Sequence, residues 1–178
     1  YNDDNFFSVQ YILNFFKSKN RKVSYDTLSN YLGYIEEAFL AYKTERYNIK
    51  GKDVVAGNCK YYLNDLSFKN FLYPGFAYGV GYLLENAVYL ELRRLGYIVY
   101  TGSFRDKEVD FVAMKDDRVI YLQATYMLET AQTMEREYAP LLTIGDNYEK
   151  YVVSMDEVQF PSNEGVRHIQ AWNLKEIL

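Results

Sequence analysis

Two strand-like runs carry the residues of this chain best suited to chemistry. They are Lys107-Glu108-Val109-Asp110-Phe111 and, after a short polar turn, Ile120-Tyr121-Leu122-Gln123-Ala124-Thr125. Alternate residues of a strand share a face, so Glu108 goes with Asp110 and Gln123 with Thr125. Glu85 lies in an earlier helical pattern, Gly81-Tyr-Leu-Leu-Glu-Asn86, from which its carboxylate can reach the same place. Clustered oxygen ligands of this kind suit a magnesium ion that polarises a phosphodiester and lowers the pKa of an attacking water. A lysine beside them would stabilise developing charge. The layout asks for a second carboxylate and a lysine where Gln123 and Thr125 stand. An amide oxygen is a neutral, poorer ligand for a hard cation, and a hydroxyl brings no positive charge. Glu85 and Asp110 remain as metal ligands if the centre is active, with Glu108 standing in for the lost acid. The alternative use of the same residues is structural: Asp110 and Gln123 form a buried hydrogen-bonded pair that fixes strand register.

Positioning these groups requires a particular run of elements. The spacing predicts a helix over 78–95 closed by Gly96, strands over 97–101, 108–114 and 118–126, a helix over 130–142 and a strand over 148–155. Lys115-Asp116-Asp117 is expected to form a tight hairpin between the second and third strands. Upstream, residues 6–18 and 25–40 read as helices, the second capped by Ser24 with Leu28, Tyr31, Leu32, Ile35 and Phe39 on one face. Residues 41–49 read as a strand, 51–57 as a polar turn and 60–63 as a returning strand. Helix, turn, helix and hairpin outline a winged helix. Tyr73-Pro74-Gly75 breaks the chain between the two halves.

Bulk composition narrows the choices. The chain has 178 residues, 49% hydrophobic and 25% charged, which is a globular balance. No apolar run is long enough for a membrane helix, and the start lacks a signal-peptide pattern, so a cytoplasmic protein without membrane partners is expected. The start also lacks an initiator methionine, as expected of a piece of a longer polypeptide. One cysteine, Cys59, and one histidine, His168, cannot make a zinc site by themselves, and both are read as structural. The twenty tyrosines suit half-buried strand and helix faces more than base stacking. A net charge of −4 argues against a strongly basic nucleic-acid binder. Residues 1–52 nevertheless hold eight Lys/Arg against six Asp/Glu, so phosphate contacts, if any, fall there, with Lys17, Lys19, Arg21 and Lys22 as the DNA-binding candidates.

Taken in succession, several short runs resemble one family. They are Leu28-Ser-Asn-Tyr-Leu32, Glu36-Glu-Ala-Phe39, Arg46-Tyr-Asn-Ile-Lys-Gly51, Lys60-Tyr-Tyr-Leu-Asn-Asp65, Gly81-x-x-Leu-Glu-Asn86, Glu108-Val-Asp-Phe111, Tyr121-Leu-Gln123 and Glu135-Arg-Glu137. The chain resembles the C-terminal half of bacterial and archaeal AAA-type ATPases, in which a winged-helix segment precedes a restriction-endonuclease-like (PD-(D/E)XK) domain. The resemblance implies an α/β protein: a winged-helix-like module over 1–64, then an αβββαβ domain over 65–178 with a central mixed sheet. It implies Glu85 as the helix acid, Asp110 as the central metal ligand, Gln123 at the second acidic position and Thr125 at the lysine position. ATP would bind the missing N-terminal domain, since no phosphate-binding Gly-x-x-x-x-Gly-Lys-[Ser/Thr] occurs here.

In the winged-helix outline, residues 25–40 would be the recognition helix, exposing Asp26, Ser29, Asn30, Glu36 and Glu37, of which the last two repel phosphates. Glu135-Arg136-Glu137 reads as a solvated helix face; alternatively, Arg136 points into the site and replaces the charge missing at Thr125. The expectation is a non-catalytic or weakly active accessory region of an ATPase that engages DNA or the ATPase core. The alternatives are a magnesium-dependent DNA nuclease and a protein-interaction domain.

Overall fold

The computed structural model describes residues 8–72 and 79–178, so the Tyr73-Pro74-Gly75 break and the first two residues of the 6–18 pattern lie outside it. The chain is a mixed α/β protein built on a seven-stranded sheet. Its elements are α1 (Val9–Ser18), α2 (Tyr25–Glu37), β1 (Ala41–Asn48), β2 (Asp53–Leu63), α3 (Ser67–Leu72), α4 (Val80–Arg94), β3 (Ile98–Phe104), β4 (Lys107–Lys115), β5 (Arg118–Ala124), α5 (Ala131–Leu142), β6 (Glu149–Ser154), β7 (Val166–Gln170) and a closing 3-10 turn, Ala171–Glu176. From α4 onward this is the helix, three strands, helix, strand order that the sequence spacing predicts.

Two expectations shift. Residues 53–57 belong to β2 rather than to a polar turn, because Asp53, Val54 and Val55 pair with Asn48, Tyr47 and Arg46. The short helix α3, started by the Asp65 carboxylate accepting from the Ser67 N–H (2.8 Å), is not apparent from periodicity.

The sheet runs β2-β1-β3-β4-β5-β6-β7. β1 lies parallel to β3 through Arg46↔Thr101, Tyr47↔Gly102 and Asn48↔Ser103, so the hairpin extends the same sheet as the later strands. Pairings β3–β4 and β4–β5 are antiparallel; β5–β6 and β6–β7 are parallel. Asp116, at φ 51°, turns the two-residue loop between Lys115 and Arg118.

Helices cover both faces, which explains the near-continuous apolar runs in β4, β5 and β6. On one face Leu84, Val88, Tyr89 and Leu92 of α4 pack with Phe111, Ala113, Ile120, Leu122, Tyr151 and Val153. Their spacing at i, i+4, i+5 and i+8 gives α4 its inward stripe. On the other face Tyr138 and Leu141 of α5 pack with Val109, Val112, Tyr121 and Val152. At its C-terminus α4 carries Arg93 and Arg94, favourable to the helix dipole, and Gly96 follows at φ 87°.

Candidate functional site

The α4 helix brings Glu85 and Asn86 to the C-terminal end of β2. Asn86 is fully buried and brackets one residue of that strand, accepting from the Leu63 N–H (2.8 Å) and donating to the Leu63 carbonyl (2.9 Å). Its amide thus supplies what a neighbouring strand would. Tyr62 lies flat against Tyr89 of α4, with centroids 4.2 Å apart, and its hydroxyl donates to Glu85 Oε1 at 2.7 Å. Lys60 shares that side of β2, two residues earlier. Its ammonium is 3.2 Å from Glu85 Oε1 and 2.5 Å from Glu108 Oε1, with only 10% of the side chain exposed. The cation of the cluster therefore comes from the N-terminal hairpin, a role that sequence reasoning missed. The available signal was a lysine two residues before a tyrosine in a strand leading to the acid-bearing helix.

Asp110 is 8% exposed. Burial, then the Glu85 and Glu108 charges, raise its carboxyl well above the ordinary range, against the opposing pull of Lys60 and of the Ala124 N–H. Lys60 is raised as well: burial disfavours its charge, but Glu85, Asp110 and Glu108 together hold the ammonium above its usual value. The Tyr62 hydroxyl is likewise raised, by burial and by Glu85.

Asp110 and Gln123 exchange side-chain bonds with each other's strands. The Ala124 N–H donates to Asp110 Oδ2 (2.8 Å), and the Asp110 N–H donates to Gln123 Oε1 (3.3 Å). The β4–β5 ladder reaches Phe111↔Leu122 at this end, and these two side chains carry the pairing past it. Strand alternation puts Gln123 and Thr125 on Tyr121's face, with the α5 layer, whereas Ile120, Leu122 and Ala124 face α4. Thr125 is buried, and its N–H donates to the Val153 carbonyl. The structure thus gathers Glu85, Glu108 and Asp110 and leaves Thr125 apart from them.

A magnesium ion does not fit these groups as they stand. Glu85 Oε1 and Glu108 Oε1 are engaged by Lys60, and one Asp110 oxygen is committed to the Ala124 backbone. Among the described residues no set of three or more His, Cys, Asp or Glu is arranged to hold a metal ion.

Arg136 does not reach the site. It is 72% exposed on α5 and pairs with its neighbour Glu137, whose carboxylate is buried, so the Glu135–Glu137 run is not solvated throughout. Lys17, Lys19, Arg21 and Lys22 are all exposed, gathered where α1 ends and the α1–α2 turn begins. Glu36 departs from its expected solvent-facing role: it accepts from the Tyr61 hydroxyl at 2.9 Å and tethers α2 to β2.

A second polar cluster surrounds His168. The Phe160 N–H donates to Nδ1 (3.1 Å), so the ring proton sits on Nε2 and is given to Ser154 Oγ (2.8 Å). The Ser154 hydroxyl in turn donates to Asp156 Oδ2 (2.7 Å). The imidazole thus donates to this hydroxyl, the reverse of the polarity by which a histidine activates a serine nucleophile.

The chain matches no protein-family profile and no solved structure. It is similar to an uncharacterized protein of Haemophilus influenzae, 36% identical over 143 residues, covering 80% of this chain and 35% of that protein. It is also similar to an uncharacterized protein of Methanocaldococcus jannaschii, 32% identical over 134 residues, covering 73% of this chain and 29% of that protein. The chain spans about a third of the length of these curated relatives. Among its described residues no helix is long and apolar enough to cross a membrane.

Proposed function

We propose that this chain is a non-catalytic accessory region of an AAA-type ATPase. In this reading α1, α2 and the β1–β2 hairpin form a winged-helix-like module on a restriction-endonuclease-like domain, and the whole engages DNA or the ATPase core. The observation that carries it is Lys60. Its ammonium sits between Glu85 and Glu108, where a nuclease would place a metal ion, and so engages one oxygen of each acid within the chain. The exchange between Asp110 and Gln123 supports the same reading, since it spends the central acid on holding β4 to β5. The greater length of both relatives is compatible with a larger parent protein.

Cleavage decides the matter. Supercoiled and branched DNA incubated with the protein in magnesium or manganese is expected to stay intact at high protein concentration. Cutting that disappears in Asp110→Ala overturns the non-catalytic reading. Affinity for the same DNA, measured against salt, tests the contact surface: contacts through Lys17, Lys19, Arg21 and Lys22 give an affinity that falls steeply as salt rises. The absence of any DNA complex at low salt leaves the ATPase core as the partner.

A further inference from the structure

Phe39 stands just past α2 with a left-handed backbone, φ 54°, and a ring that is 65% exposed. Its N–H bonds the Glu36 carbonyl and the Leu40 N–H bonds the Ile35 carbonyl, which closes the helix end. Glycine or asparagine is the usual occupant of such a position, because a Cβ crowds the following carbonyl there. A phenylalanine bears that strain and, with its ring largely in solvent, recovers little by packing within the described chain. Strain retained at an exposed aromatic points to a use for the ring outside the chain.

The neighbourhood is of the same kind. Tyr31, Tyr34 and Ile35 stand at i, i+3 and i+4 on one side of α2, and all are exposed, as is Phe15 of α1, which packs on α2. Of the twenty large hydrophobic residues exposed among the described residues, eight fall between 11 and 40. Concentration of this sort marks an interaction surface. Two observations choose the occupant. The face is aromatic and aliphatic, with Glu36 and Glu37 beside it, which disfavours a nucleic-acid backbone. The relatives are about three times as long as the stretch matched here, so most of each lies outside it.

We infer that Phe39, with Tyr31, Tyr34, Ile35 and Phe15, is the seat on which the rest of the same polypeptide docks. The identity of that occupant as an ATPase core rests on the function proposed above; the docking itself does not.

The test compares the 178-residue chain with the longer natural polypeptide by hydroxyl-radical footprinting at Tyr31, Tyr34 and Phe39. At least tenfold lower labelling is expected in the longer protein. Phe39→Gly separates strain from docking: it raises the Tm of the 178-residue chain, yet restores labelling of Tyr31 and Tyr34 in the longer one. Equal labelling in the two proteins overturns the inference. So does protection of the short chain that grows with its concentration, which assigns the face to a second copy, or protection that requires added DNA. A fall in Tm for Phe39→Gly in the short chain also overturns it, since the ring is then packed internally. Nucleotide hydrolysis by the longer polypeptide is measured alongside. Hydrolysis without protection sinks the docking and leaves the ATPase reading standing; protection without hydrolysis does the reverse.

Discussion

Two buried polar clusters lie in the same sheet and differ in one respect, the balance of charge. Around His168 there is a single carboxylate, Asp156, and its charge is met by hydrogen-bond donors. Ser154 Oγ accepts from His168 Nε2 and from the Asp156 N–H and donates once, while Asp156 Oδ2 also takes the Leu128 N–H. Around Lys60 one ammonium faces three carboxylates, Glu85, Glu108 and Asp110, among the described residues. These hydrogen bonds around His168 hold β6, β7 and the 155–165 connection together. Like charges crowded into a site that water reaches poorly are costly, and a fold keeps them only where some other constraint operates. Burial of polar residues therefore does not by itself mark a functional site; a crowd of like charges does so better.

Lys60→Met breaks the comparison most forcefully. Removing the single ammonium leaves Glu85 and Glu108 without their cation beside a buried Asp110, and losing one partner of a buried ion pair costs about 3–5 kcal/mol. Urea unfolding at pH 7 is expected to show that loss, with much of it recovered in Lys60→Arg. A loss below about 1 kcal/mol would mean that the cluster is wet enough to screen itself.

In the His168 cluster the corresponding change is smaller. His168→Leu strands the Phe160 N–H and takes one donor from Ser154, at about 2 kcal/mol for buried groups left unpaired. His168→Asn, whose Oδ1 can accept as Nδ1 does, is expected to lose less than half as much in the same unfolding assay. Equal losses would show that ring packing against Phe160 (5.1 Å between centroids) outweighs the hydrogen bonds.

The succession of elements from α4 to β6 was legible because β4, β5 and β6 are apolar almost throughout and α4 and α5 repeat every three to four residues, the marks of a doubly covered sheet. That Glu85 can approach Glu108 and Asp110 was an expectation from the element order, but their convergence itself depends on how α4 packs on the sheet, which the sequence does not supply. Lys60 was not legible, because its place depends on Asn86 bracketing Leu63 and on β1 joining β3, contacts between residues 23 and about 55 positions apart. Nor was Glu36 on Tyr61 legible, for periodicity sees a helix face and not what the neighbouring strand offers it. That Gln123 and Thr125 face the α5 layer was half visible: alternation puts them together, but only packing tells which layer they face.

Asp110→Asn acts in the opposite direction from the two losses above. Asp110 holds its proton to higher pH in the folded chain than in the unfolded one, where its pKa is about 4. The folded state therefore binds more protons over that interval, and stability falls as pH rises through it. An asparagine keeps an oxygen for the Ala124 N–H and removes the charge. A gain on the order of 1 kcal/mol is expected at pH 7, shrinking toward zero as the medium is acidified to pH 4. A destabilised Asp110→Asn at pH 7 would show that Lys60 more than offsets the burial of this carboxylate.

His168 gives the smallest effect and the sharpest contrast of sign. Burial lowers its pKa, with Asp156 pulling weakly the other way. In the folded chain the ring stays neutral, because a proton on Nδ1 would meet the Phe160 N–H, whereas the unfolded ring takes up that proton near pH 6.5. The unfolded state thus binds more protons below that pH. The stabilisation is complete above pH 6.5 and is lost as pH falls, by at most about 1.4 kcal/mol per pH unit for one proton. Measured on wild type and on His168→Asn between pH 7 and 5, the stability curves are expected to diverge downward for wild type alone. Parallel curves would place the acid response in the carboxylates of the other cluster, and the two regions would then differ less in charge than their geometry implies.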